Sequence, residues 1–486
     1  MSIKKKILTS VVVASALWAG ATAYISGNAE KYLNNYVTKS NKIYANNGMK
    51  MSILSFKKGF LNSQAELSVD FIDPEIKKEL EKILKLPIVM NYEIENGPLL
   101  LKDGISIGAS RIHSKVNVSE LLVDKDEFKK VVKDDIVLDT TMLIDFKNHI
   151  DYEAKSNQIV AEDNQTKFTI APLEVDGKMN GDTLAGTVNM FTKSIYGEID
   201  NDAKIKLEKV TLNGDITKVF DNGFYLGSFD MGVDNFTVND KHNKEQNVKN
   251  AKVKVVMDIK QNSSNLIDTD FKLNLDIGDT KLPPEINFIK TISLDYGLNG
   301  TKIDGWLAFQ DAIKEIQKKQ ENILKKLSAS KDEKESMKAF EELQNMQQEI
   351  QNKMVMLLSD FLVKDKTEFN LNADVNGGQG KALVDIKYIG DEQLPKTLEA
   401  LATKLQQELL NWIALNIDVK LDKSLANRLP QDVQGQLAMA IMTGMLQDNN
   451  GSYEFNANYK PKKLMVNGQD RSDMIMLLEG LRAGGM

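Results

Sequence analysis

Nine Asn-Gly dipeptides punctuate this chain, at Asn47, Asn96, Asn180, Asn213, Asn222, Asn299, Asn376, Asn450 and Asn467. Both residue types tolerate positive φ, so the pair is the favoured centre of a type I′ turn between antiparallel strands. Apolar residues alternate in the stretches between them. Ile105, Ile107 and Ala109 form one such set; others are Ala203, Ile205 and Leu207, then Val253, Val255, Met257 and Ile259, then Phe271, Leu273, Leu275 and Ile277. The intervening positions carry Lys, Asp, Asn and Thr, the pattern of a sheet with one packed and one wet face. A succession of antiparallel hairpins is expected from Pro87 to about Thr301.

Other periods bracket this stretch. Tyr32, Leu33, Tyr36, Val37, Ile43 and Tyr44 predict an amphipathic helix over 29–46, and a hairpin over 49–71 and a proline-initiated helix over 74–85 come after it. From Trp306 to Leu362 the spacing is helical again. One stripe runs from Phe309 to Leu327 and a second from Met337 to Leu357, parted by the polar stretch Ser328–Ser336. The two stripes do not share a heptad register, which favours an antiparallel helical hairpin over one long coiled coil. A hairpin around Asn376–Gly380, helices near 395–410 and 426–446 with a strand at 413–421 between them, and a last hairpin at 453–466 complete the pattern.

The amino terminus carries Lys4, Lys5 and Lys6 and then an uncharged run from Ile7 to Ile25. As a helix the run spans about 28 Å, close to the apolar thickness of a bilayer. Two readings stay open on the residues alone. A secretory signal peptide would end at Ala19–Ala21 or Ala21–Ala23; an uncleaved anchor would continue to Tyr24 and Ile25. Either one exports the rest of the chain. Small residues four apart, Ala16 with Gly20 and Ala19 with Ala23, are compatible with a homodimer.

Chemistry is hard to find. Cysteine is absent, which excludes disulfides, thiolate metal sites and cysteine nucleophiles. His113, His149 and His242 lack metal-ligand spacing and read as strand or turn residues, His113 on the solvent face of a strand. There is no nucleophile elbow and no phosphate loop, and the loose S-x-x-K matches at Ser2, Ser55 and Ser328 lack their companion motifs. Gly377, Gly378 and Gly380 belong to a turn, and Asp230–Asp234 lacks the spacing of a calcium loop. A net charge of −7 gives no footing for nucleic acid. No catalytic, cofactor-binding or metal residue is assigned, and no cofactor or enzymatic activity is expected.

Three blocks carry a resemblance. The first is Gly20-Ala21-Thr22-Ala23-Tyr24 with Gly27, Glu30, Tyr32 and Asn41, and the second is Ser55-Phe56-Lys57-Lys58-Gly59-Phe60-Leu61-Asn62-Ser63-Gln64-Ala65. The third joins Tyr459-Lys460 to Leu464-Met465-Val466-Asn467-Gly468. The chain resembles the YdgA-like family of bacterial envelope proteins of unknown function, with Lys58 where an arginine is frequent. The resemblance implies an uncleaved anchor in an inner membrane and a periplasmic body, and it supplies no catalytic residue.

The expected fold is α+β: an extended antiparallel sheet of successive hairpins with a helical hairpin insertion, preceded by one N-terminal transmembrane helix. The expected segments are a basic stub at 1–6, an anchor at 7–25, a juxtamembrane helix, hairpin and helix at 26–86, a β-rich body at 87–304, the helical hairpin at 305–362 and a mixed closing segment at 363–486. These imply a non-enzymatic structural or interaction role in the envelope, with residues after about 26 in the periplasm. The alternative is a lipid- or hydrophobe-binding module with an apolar groove in its sheet. Expected partners are the membrane through residues 7–25, envelope proteins or lipids, and a second copy of the chain.

Overall fold

The computed structural model describes residues 22–475, except 24, 42–47, 133, 164, 201, 243–246, 264, 285, 330–332, 391–393 and 396. Two compact units divide the chain at Ala251 and Lys252, within the stretch read from sequence as one β-rich body.

The first unit opens with helix α1, residues 25–41. Strands β1 (Met49–Lys57) and β2 (Asn62–Phe71) form the expected hairpin, and α2 (Pro74–Leu80) leads to β3 (Ile88–Asn96). A two-residue ladder, β4 (Leu99–Leu100) with β5 (Ser106–Ile107), stands apart from the main sheet before β6 (Ser110–Asn117). Helix α3 (Lys125–Val131) interrupts a stretch expected to be all β. Then come β7 (Val137–Ile144), β8 (His149–Ser156), β9 (Ile159–Glu162), β10 (Thr166–Ile170), β11 (Leu173–Asn180), β12 (Gly186–Ile199), β13 (Ala203–Val219) and β14 (Tyr225–Asp240). The pairing is antiparallel throughout: β1–β2–β3–β6–β7–β8–β11–β12–β13–β14, with β9–β10 laid along the second half of β12. Among the described residues β1 pairs only with β2. Its inner side meets α1 through Val37, Met51 and Leu67, packed with Leu33, Tyr36 and Ile53.

The second unit is also a meander. Strands β15 (Val248–Gln261, its first residues in the first unit), β16 (Leu266–Asp276) and β17 (Thr291–Lys302) lead into the long helices α4 (Ile303–Ala329) and α5 (Glu333–Phe361). These are the helical hairpin that the two stripes predict. Ion pairs Lys326–Glu342, Lys319–Glu349 and Lys353–Glu315 fix its antiparallel register, over a core of Ile323, Ala339 and Met346. At its base the rings of Trp306, Phe309 and Phe361 meet edge to face. Strand β18 (Glu368–Val375) returns to pair with β17, and β19 (Gly380–Tyr388), α6 (Leu398–Trp412), β20 (Ile413–Asp422), α7 (Lys423–Ala426), α8 (Gln431–Met442), β21 (Gln447–Asn449), β22 (Ser452–Lys460), β23 (Lys463–Val466) and β24 (Gln469–Asp470) close the unit. A buried core in this unit joins Val355, Tyr388, Leu394, Leu401 and Trp412.

Antiparallel sheet with a few helices is what the sequence pattern leads one to expect. The transmembrane helix is not shown: of the segment 7–25 only Thr22, Ala23 and Ile25 fall among the described residues, Thr22 and Ile25 are buried, and no described helix is long and apolar enough to cross a membrane. The Asn-Gly rule also holds only in part. Asn376–Gly377 and Asn467–Gly468 have positive φ at both residues, as type I′ geometry requires, whereas Asn213–Gly214 lies in the middle of β13. There a Cβ on the glycine would come within 2.8 Å of the Phe229 ring and 2.9 Å of Val188. Cross-strand packing, and not a turn, requires that glycine.

Candidate functional site

The turn between β1 and β2 is tied from three sides. Ser63 Oγ accepts from the Gly59 N–H at 3.2 Å, and Asn96 Nδ2 donates to Ser63 Oγ at 3.1 Å and to the Gly59 carbonyl at 3.0 Å. Ser63 and Asn96 are both buried. A Cβ on Gly59 would fall 1.8 Å from the Asn62 carbonyl oxygen, so only glycine closes this turn. The knot therefore uses Gly59 and Ser63 of the second resemblance block, and it holds Phe60 and Leu61 out in solvent.

Asn96 also ends β3, and the segment beyond it is the least expected part of the unit. Gly97 lies so close to Gly108 that a Cβ would meet the Gly108 carbonyl at 1.8 Å. That approach pinches residues 98–107 into a separate hairpin, β4–β5, which folds over the face of β3 and β6. Four polar side chains on that face hold it, and the register makes them two cross-strand pairs, Glu93 with His113 and Glu95 with Arg111. Glu95 Oε1 accepts from the backbone N–H groups of Leu101 and Lys102, and Lys102 Nζ bonds Glu93 Oε2. Arg111 Nη2 donates to Ser106 Oγ at 2.6 Å, and its Nη1 lies 3.4 Å from Glu95 Oε2 in a buried pair. The Lys102 ammonium holds the Glu93 carboxyl below the usual carboxylate range, and Glu93 in turn raises Lys102.

This clamp reverses the face expected from alternation. Leu100 is fully buried, while Ile105 is 81% and Ile107 73% exposed, with Leu101 beside them. On the next turn, between β7 and β8, Phe146 is 59% exposed. The sequence signal is confined to the apolar run Pro98–Leu101, which ends at the turn residues Lys102-Asp103-Gly104.

The histidines separate. His113, read from sequence as a solvent-face residue, is mostly covered by the hairpin: Nδ1 is 3.2 Å from Thr141 Oγ1, and Nε2 is 2.8 Å from Asp103 Oδ2 without the alignment of a hydrogen bond. Hydroxyl, imidazole and carboxylate are adjacent there, but Asp103 sits on the exposed hairpin tip and belongs to the clamp. His149 pairs with Asp145 at 3.0 Å beside the β7–β8 turn, and His242 with Asp202 at 3.0 Å in the first unit. Among the described residues no three His, Asp or Glu side chains are grouped to hold a metal ion. Chemically, the site is an ionic clamp that presents apolar side chains to solvent.

Compared with known protein families, residues 3–472 match the one described as "Bacterial protein of unknown function (DUF945)". No curated protein and no solved structure matches the chain.

Proposed function

The chain belongs to the DUF945 family of bacterial proteins of unknown function, and from that premise we propose that it is a single-pass inner-membrane protein whose periplasmic body has a non-enzymatic interaction role in the cell envelope. The proposal includes the equation of this family with the YdgA-like envelope proteins that the three sequence blocks resemble. One observation carries the interaction role: the apolar hairpin is held outward by an ionic clamp whose Arg111–Glu95 pair is buried. Large apolar side chains exposed together mark contact surfaces, and fixing them with Arg111, Glu95, Glu93 and Lys102 keeps them from collapsing onto the sheet. The lysine triplet followed by the uncharged run Ile7–Ile25 supports the anchor and its orientation.

A second reading has its own support. Phe168, Ile199 and Ile205 remain exposed on strands β10, β12 and β13, and register puts them on one face of the sheet. A half-covered apolar face suits a lipid- or hydrophobe-binding module. The groove between α4 and α5 does not add to it, because Glu315, Lys319, Glu349 and Lys353 line it alongside Ile316, Met346 and Ile350.

The absence of cysteine makes the topology directly testable. Lys209→Cys in the full chain is expected to react with an impermeant maleimide in intact spheroplasts, Ser2→Cys only after lysis, and the protein is expected to stay with the membrane through carbonate extraction. Release by carbonate, or labelling of both positions only after lysis, would sink the proposal. In-cell crosslinking from Ile105→Cys then reports whether proteins or lipids meet the hairpin.

A further inference from the structure

We infer that the loop end of the first unit formed by the β1–β2 turn, the β4–β5 hairpin and the β7–β8 turn rests in the headgroup region of an anionic lipid bilayer, giving the body a second membrane contact. The inference rests on the anchored reading proposed above and adds a surface to it.

Register brings the three loops together. Asn62 pairs with Glu95, Asn96 with Ser110, and Ser110 with Ile144, so all three connections leave the same end of the sheet. Each carries exposed apolar side chains: Phe60 and Leu61, then Leu101, Ile105 and Ile107, then Phe146. Exposed lysines accompany them at Lys57, Lys58 and Lys147. The acids of these loops are each engaged by a histidine, although Asp103 stays exposed at the hairpin tip. Asp103 approaches His113, and Asp145 accepts from the Lys147 and His149 N–H groups while its other oxygen meets the His149 ring. Apolar tips flanked by outward ammonium groups match the boundary between acyl chains and anionic headgroups.

The same strands have another apolar end, with Ile72, Ile76, Ile83 and Val123 exposed. Helix α1 decides between the two. Near its start a Cβ built on Gly27 would lie 3.9 Å from Lys58 Nζ, whereas at its finish Asn41 is bonded to Met51 near the other end. The uncharged run of the sequence closes at Ile25, two residues before Gly27. Fourteen residues of helix separate Gly27 from Asn41, about 21 Å along the axis. The lipid-compatible segment thus enters the unit at the end where Phe60 and the hairpin project.

Depth measurements on the full chain test this. Single cysteines at Phe60, Ile105, Val123 and, in the uncharged run, Ser15 are labelled with an environment-sensitive fluorophore. The proteins are reconstituted in 3:1 phosphatidylcholine–phosphatidylglycerol vesicles containing acyl-chain spin labels. Quenching at Phe60→Cys and Ile105→Cys is expected to exceed that at Val123→Cys by about threefold or more, and to fall in pure phosphatidylcholine. Quenching at both no greater than at Val123→Cys overturns the inference, and so does a disulfide crosslink between the Ile105→Cys positions of two copies, which assigns the surface to a second chain. Equal quenching in pure phosphatidylcholine overturns the assignment to anionic lipid. Ser15→Cys reports separately on the anchor: a buried Ser15 with an aqueous Ile105 refutes the second contact alone, whereas an aqueous Ser15 refutes the anchor.

Discussion

The side-chain amide of Asn41 makes both backbone hydrogen bonds of Met51, its Nδ2 donating to the carbonyl at 2.8 Å and its Oδ1 accepting from the N–H at 2.7 Å. Met51 lies on β1, on the side that β2 does not pair. One amide at the end of α1 thereby does what a neighbouring strand would do, and it blunts an edge open to pairing with other chains. Asn41→Ala is expected to cost about 2 kcal/mol, roughly one for each bond. Asn41→Asp, which keeps the acceptor and loses the donor, should fall between. Urea unfolding measures the loss, and the Met51 amide should lose hydrogen-exchange protection first.

Two glycine-to-alanine changes should move stability in opposite directions. At Gly59 the new methyl would meet the Asn62 carbonyl, and a loss of more than about 2 kcal/mol is expected. At Gly435, inside α8, nothing lies within 4 Å of the new Cβ. There alanine's better helix propensity should stabilise by about 0.5–1 kcal/mol. Thermal unfolding of both variants beside the parent protein checks the pair.

Removing Arg111 leaves Glu95 buried without its partner. Arg111→Met is expected to cost about 3 kcal/mol and to loosen the β4–β5 hairpin, so that trypsin cuts after Lys102 faster than in the parent. Arg111→Lys should recover little, because a single ammonium cannot serve Ser106 and Glu95 in the forked geometry of the guanidinium. Unchanged cleavage at Lys102 would show that the clamp does not hold the hairpin.

Asp270 on β16 faces Gly297 on β17, and burial pushes its carboxyl above the usual range, with Asp295 adding to the effect. The folded state therefore binds this proton more tightly than the unfolded one. Its contribution to stability is favourable at low pH, falls as pH rises from about 4 through the raised folded value, and stays unfavourable above it. Asp270→Asn should remove that decline and raise neutral-pH stability. Urea midpoints at about pH 4 and pH 7 should differ less in the variant than in the parent.

Local rules made some of this structure legible. The hairpin over 49–71, the paired helices and the turns at Asn376 and Asn467 depend on neighbours a few residues apart, and their spacing announces them. Asn213–Gly214 misleads because the reason for its glycine sits on another strand, at Phe229. Helix α3, seven residues long, is too short for a helical period to emerge. Ile105 and Ile107 alternate as a buried strand would, but alternation does not tell which face will be covered. The clamp was invisible for the same reason: Glu95 and Arg111 become neighbours only once β3 and β6 are in register.

The contact of Trp306 with Phe361 bears on how the second unit assembles. Strands β17 and β18 are partners, yet Ile292 must find Val375 across an insertion of two long helices. Pairing across so long a connection is slow when the ends must search for one another. Here the insertion draws its own ends together, because the helices zip antiparallel and their bases meet through the rings of Trp306, Phe309 and Phe361, 5.1 Å apart for the first and last. Once the helices have closed, the sheet experiences a short connection, and growth of the meander can pass from β17 to β18 much as it passes through an ordinary turn.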